Sequence, residues 1–334
     1  MIPNRFHFIW FGREFPLTHA LAIRSVAATC APEAIVLHTT DDLSGQPDFD
    51  PLVADLPAFS VRRIDIAALL DEPNLPDPGR LRQIWDQLIS ARRWAALSDV
   101  LRYLVLYREG GIYLDLDTLT VRNLRPLLSE PGFCGRERIL VDAAVHRRGS
   151  PLRYLRTVPL DVARWVCSRT ERGIGRFARI AGLYPAAING AVLALPALHP
   201  VAREALRRVP DLVPELERRR PVIGPDLLQE LIDGERRSDV TVFGPAHFYP
   251  LGPQMAAQLF RLRPSARDLD RAVGEAIGPE TYVVHWYNDG LKALPRPPDR
   301  DSIEALADRQ MFSRLARPFL RAATGQAADR EASR

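Results

Sequence analysis

The chain has 334 residues, 46% of them apolar and 26% charged, a balance that supports a large core and excludes disorder as the dominant state. Forty-five basic against 41 acidic residues leave a net charge of +4, too small a surplus for a protein that coats nucleic acid. The basic set is 44 arginines and one lysine, Lys292, so planar bidentate donors for phosphate or carboxylate abound while a neutralisable amine is nearly absent.

Length alone suggests two domains or one large α/β domain. The 29 prolines mark a loop-rich chain. Three cysteines, Cys30, Cys134 and Cys167, are an odd count without close spacing, which points to buried thiols rather than disulfides or a cysteine zinc site. The opening MIPNRFHFIWFGREF lacks a basic leader followed by a long apolar stretch, and no later run approaches ~18 apolar residues. A cytoplasmic protein without a transmembrane segment is expected.

In chain order, Phe6 to Phe11 reads as a buried first strand closed by Gly12, followed by a helix from Leu17 to Ala31 and a second strand from Ala34 to Thr39. Ser60 to Ile64 reads as a third strand and the Pro/Asp/Asn-rich Asp71 to Gly79 as a loop. One helix is expected from Gln83 to Arg108, with Leu101, Leu104 and Val105 at helical spacing, stopped by Gly110 and Gly111. IYLDLDTL begins as a strand, and Ala187 to Leu195, Val240 to Phe243 and Tyr282 to His285 follow as strands. Between them helices are expected around 199 to 208, 211 to 219, 225 to 233 and 265 to 277. Ser302 to Ala323 reads as one arginine-bearing helix, a docked surface helix or a peripheral membrane contact, with a frayed end beyond Thr324. Strands alternating with helices imply an α/β sheet.

The chemistry concentrates in SDVLRYLVLYREGGIYLDLD, Ser98 to Asp117. Asp99 and Arg102, three apart, share one helix face near its N-terminus, as a functional pair or a simple helix ion pair. Strand alternation puts Asp115 and Asp117 on one side with Leu116 opposite, at a strand's C-terminal end, where open α/β sheets bind ligands. Paired carboxylates are hard oxygen ligands suited to Mg²⁺ or Mn²⁺ shared with substrate phosphates. A lone D-x-D more often marks a solvated loop; what raises this one is its context of strand, Gly-Gly and preceding Asp/Arg helix.

The pattern carried by Ser98, Asp99, Leu101, Arg102, Tyr103, Leu106, Tyr107, Gly110, Gly111, Ile112, Tyr113, Asp115 and Asp117 resembles that of the DXD-containing sugar transferases grouped as glycosyltransferase family 32, distantly similar to the large glucosylating bacterial toxins. Similarity extends to IPNRFHFIWFG at the start, and more weakly to INGAVLALPALHP, to Gly224-Pro225, to FYPL from Phe248 and to VVHWYNDG from Val283. Arg136 to Gly182 diverges. The resemblance implies a GT-A fold with a mixed central sheet and helical additions. It spans residues 1–300 as one catalytic domain with helical insertions around 150–235, and leaves 301–334 as a C-terminal helix and tail.

By the same resemblance, Asp117 ligates Mn²⁺ (or Mg²⁺) on the diphosphate of a nucleoside-diphosphate sugar, and Asp115 contacts ribose, sugar hydroxyls or metal. Asp99 holds donor-sugar hydroxyls and Arg102 contacts the donor near its diphosphate. Trp10 is similar in position to an aromatic that stacks on the nucleotide base, or is a core residue. His285 completes the metal shell or is a structural histidine. Lys292 reaches the diphosphate or is solvated, and Asn189 and Asp226 lie near the donor sugar or acceptor. His7, inside the first strand, is structural. The implied activity is transfer of a sugar to an acceptor hydroxyl, with retention, in polysaccharide or glycoconjugate synthesis, on a carbohydrate, lipid-linked or small-molecule acceptor.

Three rival readings remain at this point. A transferase could act on a protein acceptor. A haloacid-dehalogenase-like phosphatase would use Asp115 as nucleophile and Asp117 as acid/base. A non-catalytic nucleotide-sugar-binding module would keep the motif without turnover.

Overall fold

A computed structural model describes residues 1–139, 151–213, 222–291, 294 and 296–320. Its centre is a seven-stranded sheet ordered β3-β2-β1-β4-β7-β6-β8, in which β1 is Arg5–Trp10, β2 Ala34–Thr39, β3 Phe59–Arg63, β4 Gly111–Leu114, β6 Phe133–Arg138, β7 Ala186–Leu195 and β8 Thr241–Phe243. Strands β1 to β4 are mutually parallel, β7 is antiparallel to β4 and β6, and β8 runs parallel to β6. The sheet is therefore mixed through one reversed strand. A separate two-stranded ribbon pairs β5, Thr118–Thr120, with β9, Val283–His285.

Alternation along the strands divides the core between the two faces. Phe6 and Phe8 of β1, Ile112 and Leu114 of β4 and Val192 and Ala194 of β7 pack on one side with helix α1, Leu17–Cys30. Ile9, Tyr113, Leu193 and Leu195 face the other side, where they meet α5, Trp94–Glu109, helix Pro200–Leu212 and the helical run Val222–Asp226, Leu227–Gln229, Glu230–Gly234. A third cluster joins α1, the β5–β9 ribbon and the C-terminal helices through Leu21, Leu119, Trp286, Met311 and Phe312. Helices Pro151–Arg169 and Gly173–Ile180 precede the central strand β7.

Several boundaries depart from expectation. After the short helices α2 (Asp50–Asp55) and α3 (Ile66–Leu70), the helix expected from Gln83 to Arg108 is two, α4 (Pro78–Ser90) and α5, because Arg92 takes a left-handed φ of 51° between them, which no continuing α-helix tolerates. Asp99 and Arg102 thus lie one to two turns inside α5, closer to a helix start than in the single expected helix. IYLDLDTL begins as a strand, as expected, but β4 stops at Leu114, so residues 115–117, whose sides were read from strand alternation, turn out of the sheet, and β5 belongs to the ribbon. The C-terminal helix is broken into Arg300–Leu306 and Met311–Ala316. Their apolar residues Ile303, Met311, Phe312 and Ala316 are buried in the third cluster, so these apolar side chains face protein, the docked alternative of the two. The helix expected at 211 to 219 and the tail beyond 320 lie largely outside the described residues, as does Lys292. The three cysteines are buried and free. Among the described residues no helix is long and apolar enough to cross a membrane.

Candidate active site

Helix α5 runs into β4 through Gly110 and Gly111, both at positive φ, 62° and 109°. A Cβ on Gly111 would stand 2.6 Å from the Arg5 carbonyl oxygen, so the close approach of β4 to β1 needs a residue without a side chain. Strand β4 then delivers Asp115, whose N–H donates to the Ala191 carbonyl at 2.9 Å, and the turn carries Asp117 toward the ribbon. There the β5–β9 register pairs Thr118 with His285, and the Trp286 N–H donates to the Asp117 carbonyl at 2.9 Å. That register sets the His285 imidazole beside the Asp117 carboxylate, Nε2 to Oδ1 2.9 Å, across 168 residues of sequence.

The Asp117 carboxylate accepts a second bond, from the Asn288 N–H to Oδ2 at 2.9 Å. Burial alone would raise its pKa; the His285 charge and hydrogen bond and the Asn288 donor outweigh it and bring the group down to about 2. For His285 burial opposes the charged form, yet Asp117 prevails and its pKa rises above the usual value. The Asp115 Oδ1 accepts from the Tyr113 hydroxyl at 2.5 Å and lies 3.7 Å from Arg102 Nη2. Ligand atoms of Asp115, Asp117 and His285 all lie within 4.8 Å of one another. Two carboxylate oxygens and an imidazole nitrogen form a donor set that fits Mn²⁺ and accommodates Mg²⁺.

Asp99 and Arg102 stand behind Asp115. Arg102 Nη2 pairs with Asp99 Oδ1 at 2.8 Å, Nη1 donates to the Gly190 carbonyl at 2.6 Å, and the guanidinium sits 4.5 Å from the Tyr113 ring centroid. Two glycines make room for this pair: a Cβ at Gly190 would fall 2.3 Å from Arg102 Nη1 and one at Gly224 2.7 Å from Asp99 Oδ1. Burial lifts the Asp99 carboxyl to about 6, with Arg102 opposing and Asp115 adding to the rise. The Asp99–Arg102 pair is thus a buried element that supports the carboxylates, and not an exposed helix ion pair.

In front lies a cleft of about 320 Å³ lined by Trp10, Phe11, His19, Trp94, Ser98, Tyr113, Asp115, Asp117 and Asn288. Trp10 and the two DXD carboxylates share it, while Asp99 and Arg102 are beneath its wall. Asn189 is the neighbour of Gly190 on β7, its side-chain oxygen accepting from the Ala191 N–H at 2.7 Å. Asp226 lines a different depression, with Gln229, Glu230, Asp233 and Gly234. The sequence reading missed His19, Trp94, Ser98 and Asn288 as cleft residues. His19 sits in an apolar stretch of α1, and only a histidine on an otherwise apolar helix face could have flagged it; burial lowers its pKa to about 4 against the pull of Asp117 and the Asn288 side chain.

Residues 17–134 match the family described as the glycosyltransferase sugar-binding region containing a DXD motif. This stretch, about a third of the chain, is similar to a DXD glycosyltransferase region. It takes in α1, β1's partner β2, the whole of α5, β4 and both DXD carboxylates, so the motif, the Asp99–Arg102 pair and the cleft residues His19, Trp94 and Ser98 all belong to it. Inositol phosphoceramide mannosyltransferase 3 of Schizosaccharomyces pombe (strain 972 / ATCC 24843) is 54% identical over 39 residues, 12% of this chain and 11% of that protein, so the match spans about a ninth of the curated relative. Solved structures that align with the chain include three glycosyltransferases. The galactosyltransferase LgtC with donor and acceptor sugar analogues is 16% identical, covering 97% of this chain and 99% of that one at a TM-score of 0.42. The UDP-bound glycosyltransferase domain of the YGT toxin is 11% identical, covering 96% and 99% at 0.43. Mouse xyloside xylosyltransferase 1 is 15% identical, covering 87% and 99% at 0.45. The mixed sheet with helices on both faces is of the α/β class that the sequence predicts.

Proposed function

We propose that the chain transfers a sugar from a nucleoside-diphosphate sugar to an acceptor hydroxyl, with retention, using Mn²⁺ (or Mg²⁺). The observation that carries this reading is the meeting of Asp115, Asp117 and His285, two of which, Asp115 and Asp117, line a cleft that also holds Trp10, Phe11, Trp94 and Tyr113. These three residues would hold the cation, which when bound supplies neutralisation of the charge that develops on a leaving diphosphate. His285 and the Asn288 N–H orient Asp117 and keep it ionised, while Tyr113 orients Asp115. Trp10 supplies an aromatic wall for the base. Arg102 stands behind Asp115 as a fixed cation on the diphosphate side, and Asp99 holds its guanidinium in place. Asn189 and Asp226 are assigned to the sugar and acceptor side. A relative named as an inositol phosphoceramide mannosyltransferase supports a hexosyl donor and a lipid-linked acceptor within the broader class of carbohydrate, lipid-linked and small-molecule acceptors.

The pinned ionisation of Asp117, with a pKa of about 2, speaks against its service as the general acid of a phosphatase near neutral pH. The test is incubation of the purified protein and Mn²⁺ with a panel of nucleotide sugars, with slow donor hydrolysis followed by mass spectrometry. One hydrolysed donor is expected, and Asp117→Asn abolishes its Mn²⁺-dependent turnover; undiminished turnover in that variant overturns the assignment. Phosphate release from a generic phosphomonoester would point instead to the phosphatase, and donor binding without any turnover to a binding module.

A further inference from the structure

Helix Pro151–Arg169 carries an apolar side that nothing among the described residues covers. Leu155, Val162, Trp165 and Val166 are exposed at 66%, 56%, 55% and 38%, and their spacing of seven, three and one gathers them on one side of a 3.6-residue helix. Cys167, on the opposite side, is buried. Single exposed apolar residues are ordinary on any surface, but a contiguous row marks an interaction face.

Arginines outnumber carboxylates around this row, where Glu171 is the one exposed acidic residue of the turn that follows the helix. Arg169 closes it, with its guanidinium 4.5 Å from the Trp165 ring centroid. Ser168 and Arg169 then form one wall of a depression of about 470 Å³ completed by Gln254, Phe260, Arg261 and Leu294, with no carboxylate in its lining. The Arg261 Nε is buried and has no hydrogen-bond partner among the described residues. The following turn and helix, Gly173–Ile180, expose Arg172, Arg176 and Arg179. No ion pair to any of these five arginines exists among the described residues, whereas Arg164, on the other side of the same helix, is paired with Asp161.

We propose that this face docks on an anionic phospholipid bilayer, with the apolar row entering the headgroup boundary and the Arg169–Arg261 depression taking a lipid phosphate. An apolar helix side bearing an exposed Trp and rimmed by an excess of guanidinium groups over carboxylates is the pattern of a helix that lies in a membrane interface. A second copy of the chain suits it less, because a two-fold contact through this face would set arginine against arginine. The face is separate from the DXD cleft, and the inference stands whatever donor that cleft takes.

Co-sedimentation of the full chain with phosphatidylcholine vesicles, and with vesicles of phosphatidylcholine mixed equally with phosphatidylglycerol, tests it with no substrate present. Binding to the anionic vesicles is expected, weakening as salt rises and little affected by inorganic phosphate at matched ionic strength. The double variant V162S/W165S should bind at least about tenfold more weakly, and R261Q about fivefold more weakly with loss of preference for the anionic mixture. Each variant is checked for native circular dichroism and unchanged donor hydrolysis; should either fail to fold, the salt dependence and lipid preference of the wild-type chain decide the matter alone. Absence of binding, equal binding to both vesicle types, competition by free phosphate that abolishes binding, or a solution dimer that the double variant dissolves would each overturn the proposal.

Discussion

Arg102 illustrates how much one side chain does here. Its fork satisfies Asp99 at 2.8 Å and the Gly190 carbonyl at 2.6 Å and places its charge 3.7 Å from Asp115, three tasks that a point-charge ammonium on a flexible stem cannot perform together. Replacing it with Met leaves Asp99 buried, with its carboxyl already raised to about 6 by burial, and without a counter-charge. Arg102→Met should therefore lower the unfolding free energy by about 3 to 5 kcal/mol in urea titration and abolish donor turnover. Arg102→Lys should recover most of the stability and little of the turnover, because charge returns but the fork does not. Equal recovery of both would reduce Arg102 to a structural counter-ion.

At the scale of elements, the decisive joint is the Gly-Gly turn between α5 and β4. Gly111 combines a φ of 109° with an approach that would put a Cβ 2.6 Å from the Arg5 carbonyl, so both backbone strain and a clash oppose any side chain. Gly111→Ala should cost at least about 2 kcal/mol in the same titration and reduce turnover through displacement of β4 and with it Asp115. A loss of stability below about 0.5 kcal/mol would show that the joint tolerates a shift of β4 against β1. The ribbon is the second joint: β5 and β9 pair so that His285 meets Asp117, and a slip of one residue would turn the imidazole to the other face.

For the molecule as a whole, a buried histidine pair links strands β1 and β2 to the turn between α5 and β4. His7 on β1 donates from Nε2 to the Gly110 carbonyl at 3.0 Å, so its Nδ1 is the acceptor for His38 Nε2–H on β2 at 3.1 Å. Both rings are neutral for the same reason: burial lowers His7 from 6.5 to about 4, with Glu109 opposing, and lowers His38 well below its usual value, with His7 adding to the effect. The unfolded chain takes up protons at 6.5 while the folded one resists, so stability falls as pH drops below about 6.5 and the His7 part of the loss is complete near 4. His7 alone accounts for about 3 kcal/mol of this. Chemical denaturation from pH 7.5 to 4 should show the decline in wild type and a shallower one in His7→Gln, whose side-chain amide has no proton to gain in this range; parallel curves would show that other groups govern acid unfolding.

The sequence by itself determined the α/β class, most strand positions, and the grouping of Asp99, Arg102, Asp115 and Asp117, because apolar periodicity, the Gly-Gly stop and the motif spacing are all properties of contiguous residues. It did not reveal that α4 and α5 are separate helices, since the break depends on Arg92 adopting a left-handed backbone that no residue type announces. Nor did it reveal that the DXD carboxylates sit on a turn between two sheets. His285 was named by resemblance alone; its contact with Asp117 rests on the β5–β9 register, a pairing of residues 168 apart. The tertiary structure also decided which members of the motif face the cleft. Asp115 and Asp117 line it, whereas Asp99 and Arg102 are withdrawn into the protein by the space that Gly224 and Gly190 leave. Spacing along a chain states which residues share an element; which of them meets solvent is set by what the remote segments pack against it.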